Sequence, residues 1–318
     1  MILSSQMKGF LFILAADMMW SFSAIVAKFL FNRQMSPFDL VQIRIILSFS
    51  ILAAYLFLFN RKLLKIDHQD ILYMITIGVL GVASVQFTYY LTISQTNVAT
   101  AIFLQYLAPI FILLYSLAAG KESISPIKLI TLICATLGGF LMVKGTPEAG
   151  MAVNLPGLLS GLASAIFFAF YTVYGKYGLK KYSPWTVLAW GMGVGGAVWA
   201  LYNPPWLTFS RYASAGDWLF FVYLAVFATI LPFGFFFKGL NYLTPVVAGI
   251  TSTMEPVLAG ILAYLLLGEA LTFMQITGCL LILTAVTLLQ VKTNPAEKPT
   301  AARENTPASH KVWPPSYK

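Results

Sequence analysis

Charge is scarce in this chain. Only 10% of its 318 residues are Asp, Glu, Lys or Arg, against roughly 25% in a soluble globular domain. Histidine and cysteine are rarer still, at two of each. His68 falls in a loop and His310 near the C-terminus, while Cys134 and Cys279 stand singly in apolar stretches. No histidine-ligated metal site and no disulfide framework is spelled out. HExxH, Walker A and paired-aspartate patterns are missing as well. Neither an enzyme nor a protein with a bound metal or cofactor is expected. The excess of 20 basic over 11 acidic residues, net charge +9, would suggest nucleic acid in a soluble protein. Here the basic residues gather in certain loops and the tail, as orientation signals of a membrane protein do, so no nucleic-acid partner is expected.

What fills the chain instead is apolar. Hydrophobic residues make up 59% of it, and about 20 such residues cross the ~30 Å core of a bilayer. Ten spans are expected, at about 8–30, 39–59, 70–93, 97–119, 126–144, 155–178, 184–202, 216–238, 245–268 and 273–291. The first is too long for a signal peptide and lacks a small-x-small cleavage site. Ser36-Pro37, Ser125-Pro126, Ser183-Pro184 and Thr244-Pro245 each place a hydroxyl before a proline. A hydroxyl there can cap an orphan N–H, and proline suits a first-turn position that needs no donor. These pairs mark the starts of spans two, five, seven and nine.

The chain repeats itself. Gly9, Ala15 and Lys28 recur as Gly157, Ala163 and Lys176, 148 positions on; Ser36-Pro37 recurs as Ser183-Pro184, 147 on; Pro109 and Glu122 recur as Pro256 and Glu269, also 147 on. A near-constant offset along the whole chain signals duplication. Each half, 8–144 and 155–291, holds five spans, and an odd number inverts the second half relative to the first. The expected fold is an all-α membrane protein of ten transmembrane helices in two inverted five-helix repeats, an arrangement that recurs in secondary transporters. With the N-terminus in the cytoplasm, most Lys and Arg residues fall on the inner side and only Lys28, Arg33, Lys144 and Arg211 on the outer. That bias puts both termini inside. The stretch 292–318 is rich in Pro, Ala, Thr and Lys and reads as a disordered cytoplasmic tail.

The stretch VVAGITSTMEPVLAGILAYLLLGE, from Val246 to Glu269, is long enough to span yet carries Glu255-Pro256 near its middle. A carboxylate at that depth is expensive, and proline there frees a backbone carbonyl. Its counterpart, YLAPIFILLYSLAAGKE, has Ala108-Pro109 in place of Glu-Pro. The two Pro-centred spans, the LLLGE and AAGKE endings, and the SQTNVATAIFL and YLTPVVAGITST helix starts resemble EamA-type proteins of the drug/metabolite transporter superfamily. The resemblance covers about residues 8–291. It implies a cytoplasmic-membrane permease, often an exporter of amino acids or other small metabolites, with no ATP site of its own. The Ala108-Pro109 departure means that any acidic role of Glu255 is not duplicated.

Within this frame certain residues can carry chemistry. Asp17, midway along the first span in AADMMW, is a carboxylate that lipid alone would penalise by ~2.5–3.5 kcal/mol. It can meet a substrate amine or carry a proton; a neighbouring hydroxyl or a wet vestibule would satisfy it equally. Glu255 can charge a central cavity, or hold two helices together. Arg44, in VQIRIILS, can fork onto a substrate carboxylate, snorkel to the interface, or pair with Asp39. Trp20, Ser21, Gln86, Tyr90, Gln105, Tyr106, Tyr171 and Trp190 are polar or aromatic residues within spans, able to line a cavity or to pack as interfacial belt. Pro109 and Pro256 are the expected helix breaks. Gly191, Gly193, Gly195 and Gly196 thin the seventh span, and Gly195 is the expected sliding contact between halves. Opposite charges at Asp17 and Arg44 suit a zwitterion such as an amino acid, with proton exchange through Asp17. The expected partners are a small-molecule substrate and the lipid bilayer, for a monomer or homodimer. An uncoupled facilitator or channel is the alternative, and a membrane enzyme a more remote one.

Overall fold

The computed structural model describes residues 4–31, 36–96, 98–120, 125–145, 154–212, 214–268 and 270–292. Glu122, Glu269 and the tail beyond Lys292 lie outside the described residues, as do Arg33 and the Lys28 side chain. Among the described residues every regular element is helical. Eight helices are long and apolar enough to cross a membrane by length and composition. They are α2 (Pro37–Phe59), α3 (His68–Gln95), α4 (Val98–Gln105 with Ala108–Ala118), α5 (Pro126–Lys144), α6 (Leu155–Gly178), α8 (Ala215–Tyr242), α9 (Pro245–Thr251, Ser252–Met254 and Glu255–Leu267) and α10 (Phe273–Lys292). Two more, α1 (Ser5–Phe31) and α7 (Pro184–Tyr202), have 27 and 19 residues.

Proline opens α2, α5, α7 and α9 as expected. The hydroxyl caps are realised in only two of the four. The Ser183 side chain accepts from Trp185 N–H at 3.3 Å, and Thr244 from Val247 N–H at 3.4 Å. Ser36 and Ser125 make no such bond. There the proline alone, with no N–H to satisfy, starts the helix.

Irregularities recur at matched places in the two halves. A π segment interrupts α3 at Ile77–Ala83 and α8 at Val226–Ile230. Helix α4 loosens at Tyr106-Leu107 ahead of Pro109, and α9 tightens to 3-10 at Ser252–Met254 ahead of Pro256. Proline cannot donate to the carbonyl four residues back, so each span is built of two helical pieces. Gly120 and Gly268, which follow α4 and α9, have φ of 60° and 70°. That left-handed turn is cheap only without a Cβ.

The pairings are reciprocal. α1 packs on α8 through Trp20 against Phe233 and Phe236, with centroids 5.0 and 6.0 Å apart. α6 packs on α3 through Tyr73 and Tyr174, 4.8 Å apart, and a Thr92–Ser160 hydrogen bond of 2.9 Å. α2 lies on α7. α5 lies antiparallel on α10, so close that a Cβ on Gly138 would stand 2.7 Å from the Gly278 carbonyl oxygen, and one on Gly278 2.6 Å from that of Gly138. Gly195 of α7 meets α3 in the same manner: a Cβ there would come within 2.9 Å of Val82. Small residues permit such approach where no water is available to drive packing.

Candidate functional site

The site is built where α1 crosses the break in α9. Asp17 is fully buried, and neither carboxylate oxygen has a hydrogen-bond partner among the described residues. One turn on, the Ser21 hydroxyl lies 2.7 Å from the Asp17 carbonyl oxygen and 2.7 Å from that of Glu255. This side chain pins α1 against α9. The Glu255 carboxyl accepts a hydrogen bond from the Tyr106 hydroxyl, which stands in the break of α4. Both breaks therefore meet at one pair. Gly249 completes the contact, since a Cβ there would lie 2.9 Å from Ile112 and 3.5 Å from Pro109. Asp17 and Glu255 are near enough to repel each other. The Ser252 hydroxyl, in the tightened turn of α9, is buried and also without a partner.

A second polar group is built around Arg44 of α2. Arg44 Nη2 donates to Gln86 Oε1 at 2.7 Å, and its guanidinium sits 5.9 Å from the Tyr90 ring centroid. Its Nε is buried with no partner. Arg44 does not pair with Asp39, whose carboxylate binds Arg211 and Tyr212 at 3.0 Å each. Tyr89 packs edge-on against Tyr90, with ring centroids 5.3 Å apart.

Next to Gln86 opens a narrow cleft lined by Gly81, Val85, Gln86, Tyr171 and Thr229 among others, with a volume of about 20 Å³. That is room for about one water. Of the residues singled out by sequence, Asp17, Tyr106 and Glu255 form one group, Arg44, Gln86 and Tyr90 a second, and Gln86 with Tyr171 line the cleft. Trp20 supports the cleft from behind through Phe233. The other two have structural contacts. Gln105 donates to the Ser164 hydroxyl at 2.9 Å, tying α4 to α6, and the Trp190 indole donates to the Leu64 carbonyl at 3.1 Å, near the end of α2. Tyr89 and Ser252 were not visible as candidates. Ser252 is one of several hydroxyls in ITSTMEP. The proximity of Ser252 to a proline that frees a carbonyl was the available signal.

A buried carboxyl, a partly buried guanidinium and two broken helices inside a bundle of membrane-length helices define a polytopic α-helical membrane protein with a polar centre. Known proteins agree with this class. The chain matches the EamA-like transporter family over residues 7–144 and 155–291. It is 30% identical over 293 residues to the uncharacterized inner membrane transporter YicL of Salmonella typhimurium, covering 91% of this chain and 97% of that one. It is 27% identical over 214 residues to the threonine/homoserine exporter RhtA of the same organism, covering 65% and 67%. A solved crystal structure shares the fold, with a TM-score of 0.74 at 20% identity over 89% of this chain and 96% of that chain. The protein belongs to the EamA-like transporter family, and it is a multi-pass membrane transporter.

Proposed function

We propose that this protein is a secondary transporter that exports small polar metabolites, amino acids foremost, across the cytoplasmic membrane by alternating access. Ten spans in two inverted five-helix halves, with both termini cytoplasmic, would carry one central site between them. The observation that carries the reading is Asp17: a carboxyl fully buried in a membrane helix, without a partner, beside the Glu255–Tyr106 pair. An intramembrane ionisable group of this kind marks a pathway or a proton relay. Asp17 and Glu255 supply the pole for a substrate amine, and Arg44, with its free Nε, the pole for a carboxylate. Gln86, Tyr90 and Tyr171 line the approach. Gly195 provides the surface on which α7 shifts against α3. The threonine/homoserine activity of one relative supports an amino acid as the substrate class.

The test is a pair of measurements on purified protein. A bound ligand at about 100 times its dissociation constant stabilises the protein by ~2.7 kcal/mol, so a thermal-shift screen over amino acids, amines and carboxylates finds the substrate. Asp17→Asn should lose pH-gradient-driven flux in proteoliposomes. Unchanged flux in Asp17→Asn refutes proton exchange at this residue. A shift confined to inorganic anions or to hydrophobic cations refutes the amino-acid assignment.

A further inference from the structure

Two dipeptides frame α7. Lys181-Tyr182 stand just before it, and Arg211-Tyr212 close the short helix Pro205–Arg211 that follows it. Each joins a basic residue to a tyrosine, and each closes on an aspartate of the first half. Lys181 Nζ lies 2.5 Å from Asp67 Oδ2 and 2.5 Å from Asp70 Oδ2. The Tyr182 hydroxyl donates to Asp70 Oδ2 at 2.5 Å and accepts from the Asp67 N–H at 3.1 Å. At the other end, Arg211 Nη1 and the Tyr212 hydroxyl both lie 3.0 Å from Asp39 Oδ2. A 19-residue helix is about 28 Å long at 1.5 Å per residue, so the two clamps sit at opposite faces of the bundle. Between them α7 meets the first half through glycines, at Gly195 against Val82 and at Gly193 against Phe49.

We infer that these clamps are the two latches of the transport cycle, that α7 releases one while the other holds, and that the Lys181 clamp opens first. The inference rests on the transporter reading above. It is carried by the unequal settings of the clamps. The Lys181, Asp67 and Asp70 side chains are 51%, 67% and 28% exposed; in the other clamp Arg211 is 55% exposed, but its carboxylate partner Asp39 only 9%. Exposed pairs hold weakly and are screened by salt. The Asp39 clamp is also backed by a buried polar network. The Thr208 hydroxyl donates to Gln42 Oε1 at 2.5 Å, the Gln42 amide donates to the Trp199 carbonyl at 3.1 Å and also to that of Asn203, and Asn203 donates to Thr208 at 2.7 Å. Such a network must break as a unit. With the lysine-rich face cytoplasmic, the weaker latch faces the cytoplasm. The site then opens first to the side from which an exporter loads.

The experiment uses the full chain with Cys134→Ser and Cys279→Ser and a reporter cysteine, Val85→Cys, in the cleft. A charged, membrane-impermeant thiol reagent is applied to membrane vesicles of either orientation. Lys181→Met should raise labelling from the cytoplasmic face at least about five-fold, the lower end of typical coupling between sites, and leave labelling from the outer face unchanged. Lys181→Arg should restore the original rate. Raising salt from about 0.05 to 0.5 M, which shortens the screening length, should reproduce the Lys181→Met effect. Asp39→Asn should raise labelling from the outer face alone; since Asp39 is buried and that variant can fail to fold, the Lys181→Met and Lys181→Arg pair decides by itself. Labelling that does not respond to Lys181→Met, or rises equally from both faces, overturns the inference. A one-sided response in vesicles that show no substrate flux would leave the latches standing and overturn the transport reading instead.

Discussion

Helix α4 is interrupted at Tyr106-Leu107 ahead of Pro109, and α9 at Ser252–Met254 ahead of Pro256. The two breaks sit at equivalent places in the two halves and face each other. Their chemistry differs. The second half offers a carboxyl at Glu255; the first offers the methyl of Ala108, 1% exposed, with Tyr106 two residues before it. Tyr106 donates to Glu255, so the first half supplies the donor for the acid of the second. The backbone device is present in both halves, while the side chains at the two breaks are complementary partners. A two-fold site would bind a symmetric ligand. Here the carboxyls stand on α1 and α9 and the guanidinium on α2, an asymmetry that the proposed zwitterionic substrate would use.

Restoring the symmetry should therefore be the most damaging change. Ala108→Glu would bury a third carboxylate beside Asp17 and Glu255, with Tyr106 already engaged. The cost is about 2.5–3.5 kcal/mol on insertion scales, more if like-charge repulsion from Glu255 adds to it. The expected outcome on fluorescence-detected size exclusion is loss of most monodisperse protein. A wild-type profile would show that the first break can host an acid, and that the asymmetry is not enforced by packing.

Removing the asymmetry from the other side should spare the fold and stop the function. Glu255→Gln keeps the shape and an acceptor for Tyr106 while deleting the charge. Flux should fall at least about ten-fold, in the range lost when a charge-assisted hydrogen bond is removed from a site, with the melting temperature little changed. Tyr106→Phe leaves the Glu255 carboxyl short of one donor and should lower flux by a smaller factor, a few-fold on the scale of a single hydrogen bond. Equal loss in both variants would mean that the pair acts only as a strut between α4 and α9.

Much of this architecture can be read from the chain. The long apolar runs mark most spans, because a bilayer asks for length and hydrophobicity rather than periodicity. Pro109 and Pro256 mark the breaks, and their spacing marks the duplication. The π segments at Ile77–Ala83 and Val226–Ile230 carry no such flag; Pro232 follows the second, but nothing equivalent stands after the first. The site is legible only in part. Asp17 and Glu255 stand out because charge is rare in spans. The partner of Arg44 does not, because Gln86 is 42 positions away. Asp39 is near in sequence but five residues back, which on a helix of 3.6 residues per turn turns it about 140° away. Trp190 and Gln105 resemble the other cavity candidates in composition, and only the packing of α7 on the Arg61–Leu64 turn and of α4 on α6 shows them to be anchors.

Where two helices meet backbone to backbone, substitutions on either side should have similar effects. In the α5–α10 pair each helix presents a glycine to the other's carbonyl, with a Cβ at Gly138 falling 2.7 Å from the Gly278 oxygen and one at Gly278 falling 2.6 Å from the Gly138 oxygen. Backbone cannot yield as a side-chain end can, so each alanine must push the helices apart. Overpacking of this kind costs about 1–3 kcal/mol. Gly138→Ala and Gly278→Ala should therefore lower the melting temperature by similar amounts, and the double variant by less than their sum, since one displacement relieves both clashes. Gly139 is the internal control: a Cβ there meets nothing within 4 Å. Gly139→Ala should leave stability unchanged or raise it by up to about 1 kcal/mol, the helix preference of alanine over glycine. A fall at Gly139 matching that at Gly138 would show that helix flexibility, not contact, is what glycine supplies in α5.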